Sequence, residues 1–276
     1  MKIQLKSSIL DMTQRTQIMG ILNVTPDSFS DGGQFNSIDK AVQQAKQMER
    51  EGADIIDIGG ESTRPDHAPI SETEEIDRVL PLIEAVKSEV SLPISIDTYK
   101  AKTAEKAIDS GADIINDIWG AKKDPEMAKV AAQKEVPIIL MHNRDNKTYH
   151  SIIKDMIQDL TESVELVKRA GVREERIILD PGIGFGKELK DNYTVLQKLD
   201  QLIHAFPYPF LLASSRKSFI NQVLNLPADE RDNATGATTC LGIQKGVNMI
   251  RVHDVKRHVE LARMTEAILG GAGSIG

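Results

Sequence analysis

Glu51-Gly52-Ala53-Asp54-Ile55-Ile56-Asp57-Ile58-Gly59-Gly60 reads as a helix stop running straight into a strand. Gly52 ends the helical pattern, because glycine closes a helix in the left-handed conformation without steric cost. The isoleucine run behind it has the near-continuous apolar character of a strand buried on both faces of a parallel sheet. Upstream, Ile38, Ala41, Val42, Ala45 and Met48 fall on one helical face, with Lys, Gln and Glu opposite. A similar phrase returns at Ser110-Gly111-Ala112-Asp113, ahead of Ile114-Ile115-Asn116-Asp117. Ala170-Gly171-Val172 stops a third helix before Ile177-Ile178-Leu179-Asp180.

Extending this pattern yields five more runs: Ile18 to Val24, Ile94 to Thr98, Ile138 to His142, Phe210 to Ser214 and Met249 to His253. Helical stripes lie between them, at Ile157, Leu160, Val164 and Val167, and at Ile76, Val79, Leu80 and Ile83. Pro81 is expected to kink or split the second of these. Strand-like runs alternating with helices point to an α/β fold, a (β/α)8 TIM barrel. An open doubly wound sheet is the rival, but it usually has fewer strands and needs a phosphate fingerprint after an early one. Lys2 to Leu10 with Asp11-Met12-Thr13 reads as a short N-terminal β-hairpin closing the barrel bottom. No linker or composition break interrupts residues 1–276, so one barrel domain is expected.

Composition narrows the function. The 276 residues carry 34 basic and 41 acidic side chains, a net charge of −7, which argues against a general nucleic-acid binder. The lone cysteine, Cys240, excludes an internal disulfide framework and any CxxC site, and reads as a small helix-core residue. There is no leader-like apolar run at the start, and no stretch nears the roughly 18 residues of a membrane helix. Gly270 to Gly276 reads as a frayed tail. A cytoplasmic protein with no membrane partner is expected.

In a barrel of this kind the site lies at the C-terminal strand ends. Those ends carry Asn23; Glu61, Ser62, Thr63 and Arg64; Asp97; Asn116 and Asp117; His142 and Asn143; Asp180; Ser215 to Ser218; and Arg251, His253 and Asp254. One polar residue at a strand end is ordinarily a helix cap; polar groups at every end point to a site. Asp97, Asn116 and Asp180 should project into the mouth and accept hydrogen bonds from a flat, donor-rich ring. Arg64, Lys217, Arg251 and His253 suit a phosphate or carboxylate. Internal Asp–Arg and Asp–Lys pairing would neutralise the same mouth without a ligand. No zinc motif is present; Mg²⁺, which needs few protein ligands beside phosphates, has a candidate ligand in Asn23. Gly182-Ile183-Gly184-Phe185-Gly186-Lys187 is neither a dinucleotide fingerprint nor a Walker loop and reads as a sharp backbone turn. Asn23 to Gly33 and Gly59 to Pro65 combine glycine hinges, proline and functional side chains, as lids over a substrate do.

Taken together, these stretches resemble the dihydropteroate synthase family. The resemblance runs from about Ile18 to Ala267 and is carried by Met19 to Gly33, Asp57 to Pro65, Ser95 to Thr98, Asn116-Asp117, Leu179 to Gly184, Ser215 to Ser218 and Arg251-Val252-His253. It implies a barrel, usually a homodimer, that condenses 6-hydroxymethyl-7,8-dihydropterin pyrophosphate with 4-aminobenzoate in folate biosynthesis. On this sequence it implies Asp97, Asn116, Asp180, Lys217 and Arg251 around the pterin, and Thr63, Arg64, Arg251 and His253 on the pyrophosphate. Ser218, Phe185, Phe29 and Pro65 would line the aminobenzoate pocket, where sulfonamides compete. Asn23 would bind Mg²⁺, and Asp97, Lys217, Arg251 and Asp31 are the catalytic candidates. Asp66 and Ala213 stand where glycine is usual. A corrinoid-linked methyltransferase would share the Asp/Asn/Asp pocket but lacks the Ser215–Ser218 phrase and the Thr25–Phe29 lid. A non-catalytic paralogue would have lost Lys217, Asp97 or lid residues, all of which are present here.

Overall fold

The computed structural model describes residues 1–6, 8–23, 33–61 and 69–270. Eight parallel strands form the sheet: β3 (Gln17–Asn23), β4 (Ile55–Gly59), β5 (Ile94–Asp97), β6 (Ile114–Asp117), β7 (Ile138–Met141), β8 (Ile177–Asp180), β9 (Leu211–Leu212) and β10 (Met249–Val252). Their spatial order is β8-β7-β6-β5-β4-β3-β10-β9. A parallel bridge between Leu179 and Phe210 brings the two ends of the sheet together. All eight runs read from the sequence are strands, and the fold is a TIM barrel.

Alternation along each strand sorts side chains into two cores. Ile56, Ile58, Ile94, Ile96, Ile115, Ile138, Leu140, Ile177 and Leu179 face outward into the layer beneath the helices. Met19, Ile55, Ile114, Ile139, Ile178, Leu211 and Met249 form a second, inner cluster near the strand N-termini. β1 (Lys2–Gln4) and β2 (Ile9–Asp11) pair antiparallel, and this hairpin adds Ile3, Leu5, Leu10 and Met12 to that inner cluster. The hairpin thus plugs the barrel bottom, each buried apolar side chain contributing about 1.5–3 kcal/mol.

The outer helices are α1 (Gly33–Arg50), α2 (Glu72–Glu89), α3 (Ala101–Asp109), α4 (Met127–Gln133), α5 (Ile152–Arg169), α6 (Leu189–Gln197), α7 (Leu199–Ile203), α8 (Ser218–Leu224), α9 (Asp232–Lys245) and α10 (Val255–Gly270). Gly52, Gly111 and Gly171 end α1, α3 and α5 with φ of +94°, +116° and +103°, as their phrases suggest. Pro81 does not split α2, which runs unbroken past it with the proline ring exposed. The buried stripe of α2 is Glu75, Val79, Leu82, Ile83 and Val86, so Ile76 and Leu80 sit at its margin rather than on it. Cys240 is half-buried in α9, not in its core stripe. Gly270 still belongs to α10; residues 271–276 lie outside the described residues. Among the described residues no helix is long and apolar enough to cross a membrane.

Candidate active site

Register decides which strand-end residues share the mouth. Gly59 pairs with Asp97 and Asp97 with Asn116, side by side on the inner face; Asn116 continues to Ile139 and Ile178, and Asp180, paired with Met141, stands on the same face two residues further toward the mouth. Arg251 reaches this face two residues after Met249 of the inner cluster. Its Nε donates to Asp57 Oδ2 at 2.6 Å and its Nη2 to Asp97 Oδ2 at 2.6 Å. Asn116 Nδ2 lies 3.4 Å and 3.5 Å from the two Asp57 oxygens. The internal pairing weighed from the sequence is therefore real for Arg251, yet it leaves the mouth unsaturated. Asp97 Oδ1 is buried and accepts nothing among the described residues, as does Ser95 Oγ one layer down. A buried acceptor left unpaired costs about 1–3 kcal/mol, so this oxygen favours an incoming donor.

Electrostatics follow from burial. Burial pushes Asp97 up to about 7 against the pull of Arg251, and raises Asp180 against the pull of Lys217. Burial also works against the Arg251 charge, but Asp57 and Asp97 outweigh it and hold the guanidinium above its usual range. Lys217 is lowered to about 8, chiefly by burial. Its Nζ donates to Ile183 O and sits 4.3 Å from the centroid of the Phe185 ring. Gly182 N donates to Asp180 Oδ1 at 2.7 Å, orienting that carboxylate. The glycine run that carries these groups turns sharply, with φ of +64°, +85° and +54° at Gly182, Gly184 and Gly186.

The other candidates divide. Ser215 Oγ lies 2.8 Å from His253 Nδ1, joining the ends of β9 and β10. Ser218 is the exposed first residue of α8, directly after Lys217. Asn23 ends β3; a Cβ on Gly59 would lie 3.6 Å from its Oδ1 and 3.7 Å from Asp97 Oδ2, so amide and carboxylate are neighbours. That hard oxygen donor suits Mg²⁺, an ion able to take most of its ligands from phosphate and water. Among the described residues no group of three His, Cys, Asp or Glu could hold a metal ion by itself. Asp31, Phe29, Thr63, Arg64, Pro65 and Asp66 lie outside the described residues, and with them most of both lid loops. The second of these loops starts from a fixed base: Lys100 Nζ bonds Glu61 Oε2 at 2.5 Å and buried Glu75 Oε2 at 2.7 Å.

Three strand-end residues do not face the mouth. Asp117 is turned outward and caps the turn behind β6, accepting from Trp119 N and Ala121 N at 2.8 Å and 2.7 Å. Arg216 pairs with Asp232 of α9 at 2.7 Å. His142 points back to Asp159 of α5, 2.9 Å away. Conversely, Asp57 belongs to the site although it was absent from the sequence candidates. It lies mid-strand, not at a strand end, and the signal was available: a carboxylate two residues beyond inward-facing Ile55 must face inward too.

The family model described as "Pterin binding enzyme" matches residues 19–253. The chain is 56% identical over 271 residues to the dihydropteroate synthase of Bacillus subtilis, covering 98% of this chain and 95% of that protein. It is 54% identical to that of Clostridium beijerinckii, covering 97% and 99%. The chain belongs to the dihydropteroate synthase family. Among solved structures, the Clostridium difficile family member determined with pteroic acid superposes at a TM-score of 0.91, with 50% identity and 94% and 98% of the chains covered. The Xanthomonas albilineans dihydropteroate synthase with 4-aminobenzoic acid gives 0.92, at 35% identity and 98% coverage of each chain. As a family member the protein is an enzyme, a transferase of alkyl or aryl groups in folate biosynthesis.

Proposed function

We propose that this enzyme condenses 6-hydroxymethyl-7,8-dihydropterin pyrophosphate with 4-aminobenzoate, giving 7,8-dihydropteroate and pyrophosphate. The observation that carries the reading is the buried, unpartnered Asp97 Oδ1 beside Asn116 and Asp180. A pterin edge offers ring N–H and amino donors in one plane, and a carboxylate accepts such a pair in two-point geometry. Asp97, Asn116 and Asp180 would hold that edge, with Lys217 and Arg251 against the ring. Thr63, Arg64, Arg251 and His253 would take the pyrophosphate oxygens. Phe185, Ser218, Phe29 and Pro65 would receive the aminobenzoate. Support comes from the relatives solved with pteroic acid and with 4-aminobenzoic acid. A Yersinia pestis relative solved with a sulfonamide supports competition at the same pocket here.

In this reading the C–O bond to pyrophosphate breaks, its electron pair leaving with the pyrophosphate, and the aryl amine nitrogen bonds the pterin methylene and loses a proton. Asn23 would hold Mg²⁺, which when bound would supply positive charge for the leaving oxygens. The chain's cations act in the same sense, stabilising the leaving group more in the transition state than in the ground state. Asp97 and Asp180 hold the ring so that charge developing on the methylene delocalises into it, and the lids keep out water that would otherwise capture it. The chain is proposed to work as a single domain and as a homodimer. Met264, Ile268 and Leu269 of α10 are exposed and available to such an interface. Leu261 is half-buried and faces Gly236 of α9 instead.

The test is pyrophosphate release with Mg²⁺ and the pterin pyrophosphate, with and without 4-aminobenzoate. Amine-dependent release with a matching yield of dihydropteroate is expected, and slow release without the amine marks the dissociative path. Tight pterin binding with no product would overturn the reading in favour of a pterin-binding paralogue.

A further inference from the structure

Behind the glycine run, on the side away from the mouth, lies a buried polar chain that the reaction as drawn does not use. Lys187 is 5% exposed. Its Nζ donates to Gly182 O at 3.0 Å and to Phe185 O at 3.0 Å, and lies 2.9 Å from His142 Nδ1. An ammonium has three donors, and all three are accounted for. With Nδ1 accepting, the imidazole proton sits on Nε2 and is donated to Asp159 Oδ2 at 2.9 Å. Arg144 Nε donates to the same Asp159 oxygen at 2.5 Å, so the chain ends in an ion pair anchored on α5.

The loop in front has no slack. A Cβ on Gly182 would lie 2.0 Å from His142 O, one on Gly186 2.8 Å from Arg144 N and O, and one on Gly184 2.9 Å from Lys217 Cδ. Tyr149 also donates its hydroxyl to Gly186 O at 2.6 Å. The loop delivers two groups to the mouth side, Ile183 O and the Phe185 ring, and both meet the Lys217 ammonium. Asp97 and Asn116 are held by strands and do not depend on the loop for their position, and Asp180, whose backbone ends a strand, takes a single bond from it, at Gly182 N. Phe185 has no such anchor, and its own carbonyl is one of the two that Lys187 grips.

We propose that Lys187, braced by neutral His142 and Asp159, is a positioning residue for the second substrate: it locks the Gly182–Gly186 turn and so sets the Phe185 ring that faces the aminobenzoate. This rests on the condensation proposed above. Lys187 touches no substrate in this account; it acts through two backbone carbonyls.

The experiment uses the full chain and begins with wild type. No dihydropteroate from the two substrates would sink the condensation reading itself, irrespective of Lys187. Given turnover, Lys187→Met removes the three donors while keeping the length of the side chain. The expected result is a rise of about tenfold or more in KM for 4-aminobenzoate, with the Kd for a pterin ring changed less than threefold and the far-UV circular dichroism unchanged. Lys187→Gln, which keeps an amide donor pair, should recover part of the loss. A folded Lys187→Met enzyme with KM for 4-aminobenzoate within twofold of wild type overturns the proposal, as does an equal loss for both substrates. Should neither variant fold, ¹⁵N shifts of His142 in wild type decide: an unprotonated Nδ1 and protonated Nε2 from pH 5.5 to 6.5, where Lys187 is an ammonium, supports the brace, and a protonated Nδ1 there refutes it.

Discussion

Asp97 and Asp57 share one guanidinium but do different work. Asp97 gives one oxygen to Arg251 and keeps the other unpartnered, whereas Asp57 is fully buried and spends its contacts on Arg251 and Asn116. Asp97→Asn should therefore act on ligand: losing a charge-assisted bond of about 1.5–3 kcal/mol weakens pterin binding roughly ten- to hundredfold, as read by calorimetry. Asp57→Asn should act on the fold, because it removes a buried charge-assisted bond and leaves Arg251 to Asp97 alone; about 1.5–3 kcal/mol of stability is expected to go in urea titration. The sequence exposed Asp97 because it terminates an apolar run, and hid Asp57 because it sits inside one. His142 is a third case. Burial lowers its pKa from 6.5 to about 4, with Lys187 adding to the effect. A depressed base favours folding in its neutral form, so its contribution is complete above pH 6.5 and is lost as pH falls toward 4. That window is worth about 3 kcal/mol, and His142→Gln should flatten the fall of wild-type stability across it. An imidazole titrating near pH 6.5 in the folded protein would contradict this.

Among the elements, α2 departs furthest from the sequence reading. It begins well, with Ser71 accepting from Glu74 N and with Glu72, Glu74 and Glu75 in the first turn. Pro81 in its middle lacks an N–H to donate, yet the helix continues because Val79, Leu82, Ile83 and Val86 pack on the barrel while the proline faces solvent. Packing overrides the local penalty, as it does for most helices in folded proteins. Since a mid-helix proline costs about 3 kcal/mol intrinsically, Pro81→Ala should stabilise the protein by about 1 kcal/mol or more, visible as a raised thermal midpoint with unchanged KM values. The glycine turn after β8 was legible as a turn but not as the carrier of Phe185 toward Lys217. Its partners, His142 and Lys187, are 45 residues apart and meet only in three dimensions.

At the scale of the whole molecule, the barrel keeps its stability and its chemistry at opposite ends. The hairpin side chains pack under the first residues of the strands, and the ionisable groups gather beyond the last ones. Leu5→Ala, at a position 1% exposed, should cost about 2–5 kcal/mol of stability while leaving pterin affinity within twofold. Loss of affinity in a folded Leu5→Ala protein would show that the two ends are coupled. The sequence by itself determined the eight strands, the glycine stops, the hairpin and the polar strand ends, because these are local patterns of period and turn chemistry. Only the tertiary structure decided which of those ends look into the mouth. Strand register and barrel closure turn Asp97, Asn116, Asp180 and Arg251 toward one another, and turn Asp117, His142 and Arg216 back into the helical layer, and neither register nor closure is written in any single stretch of chain.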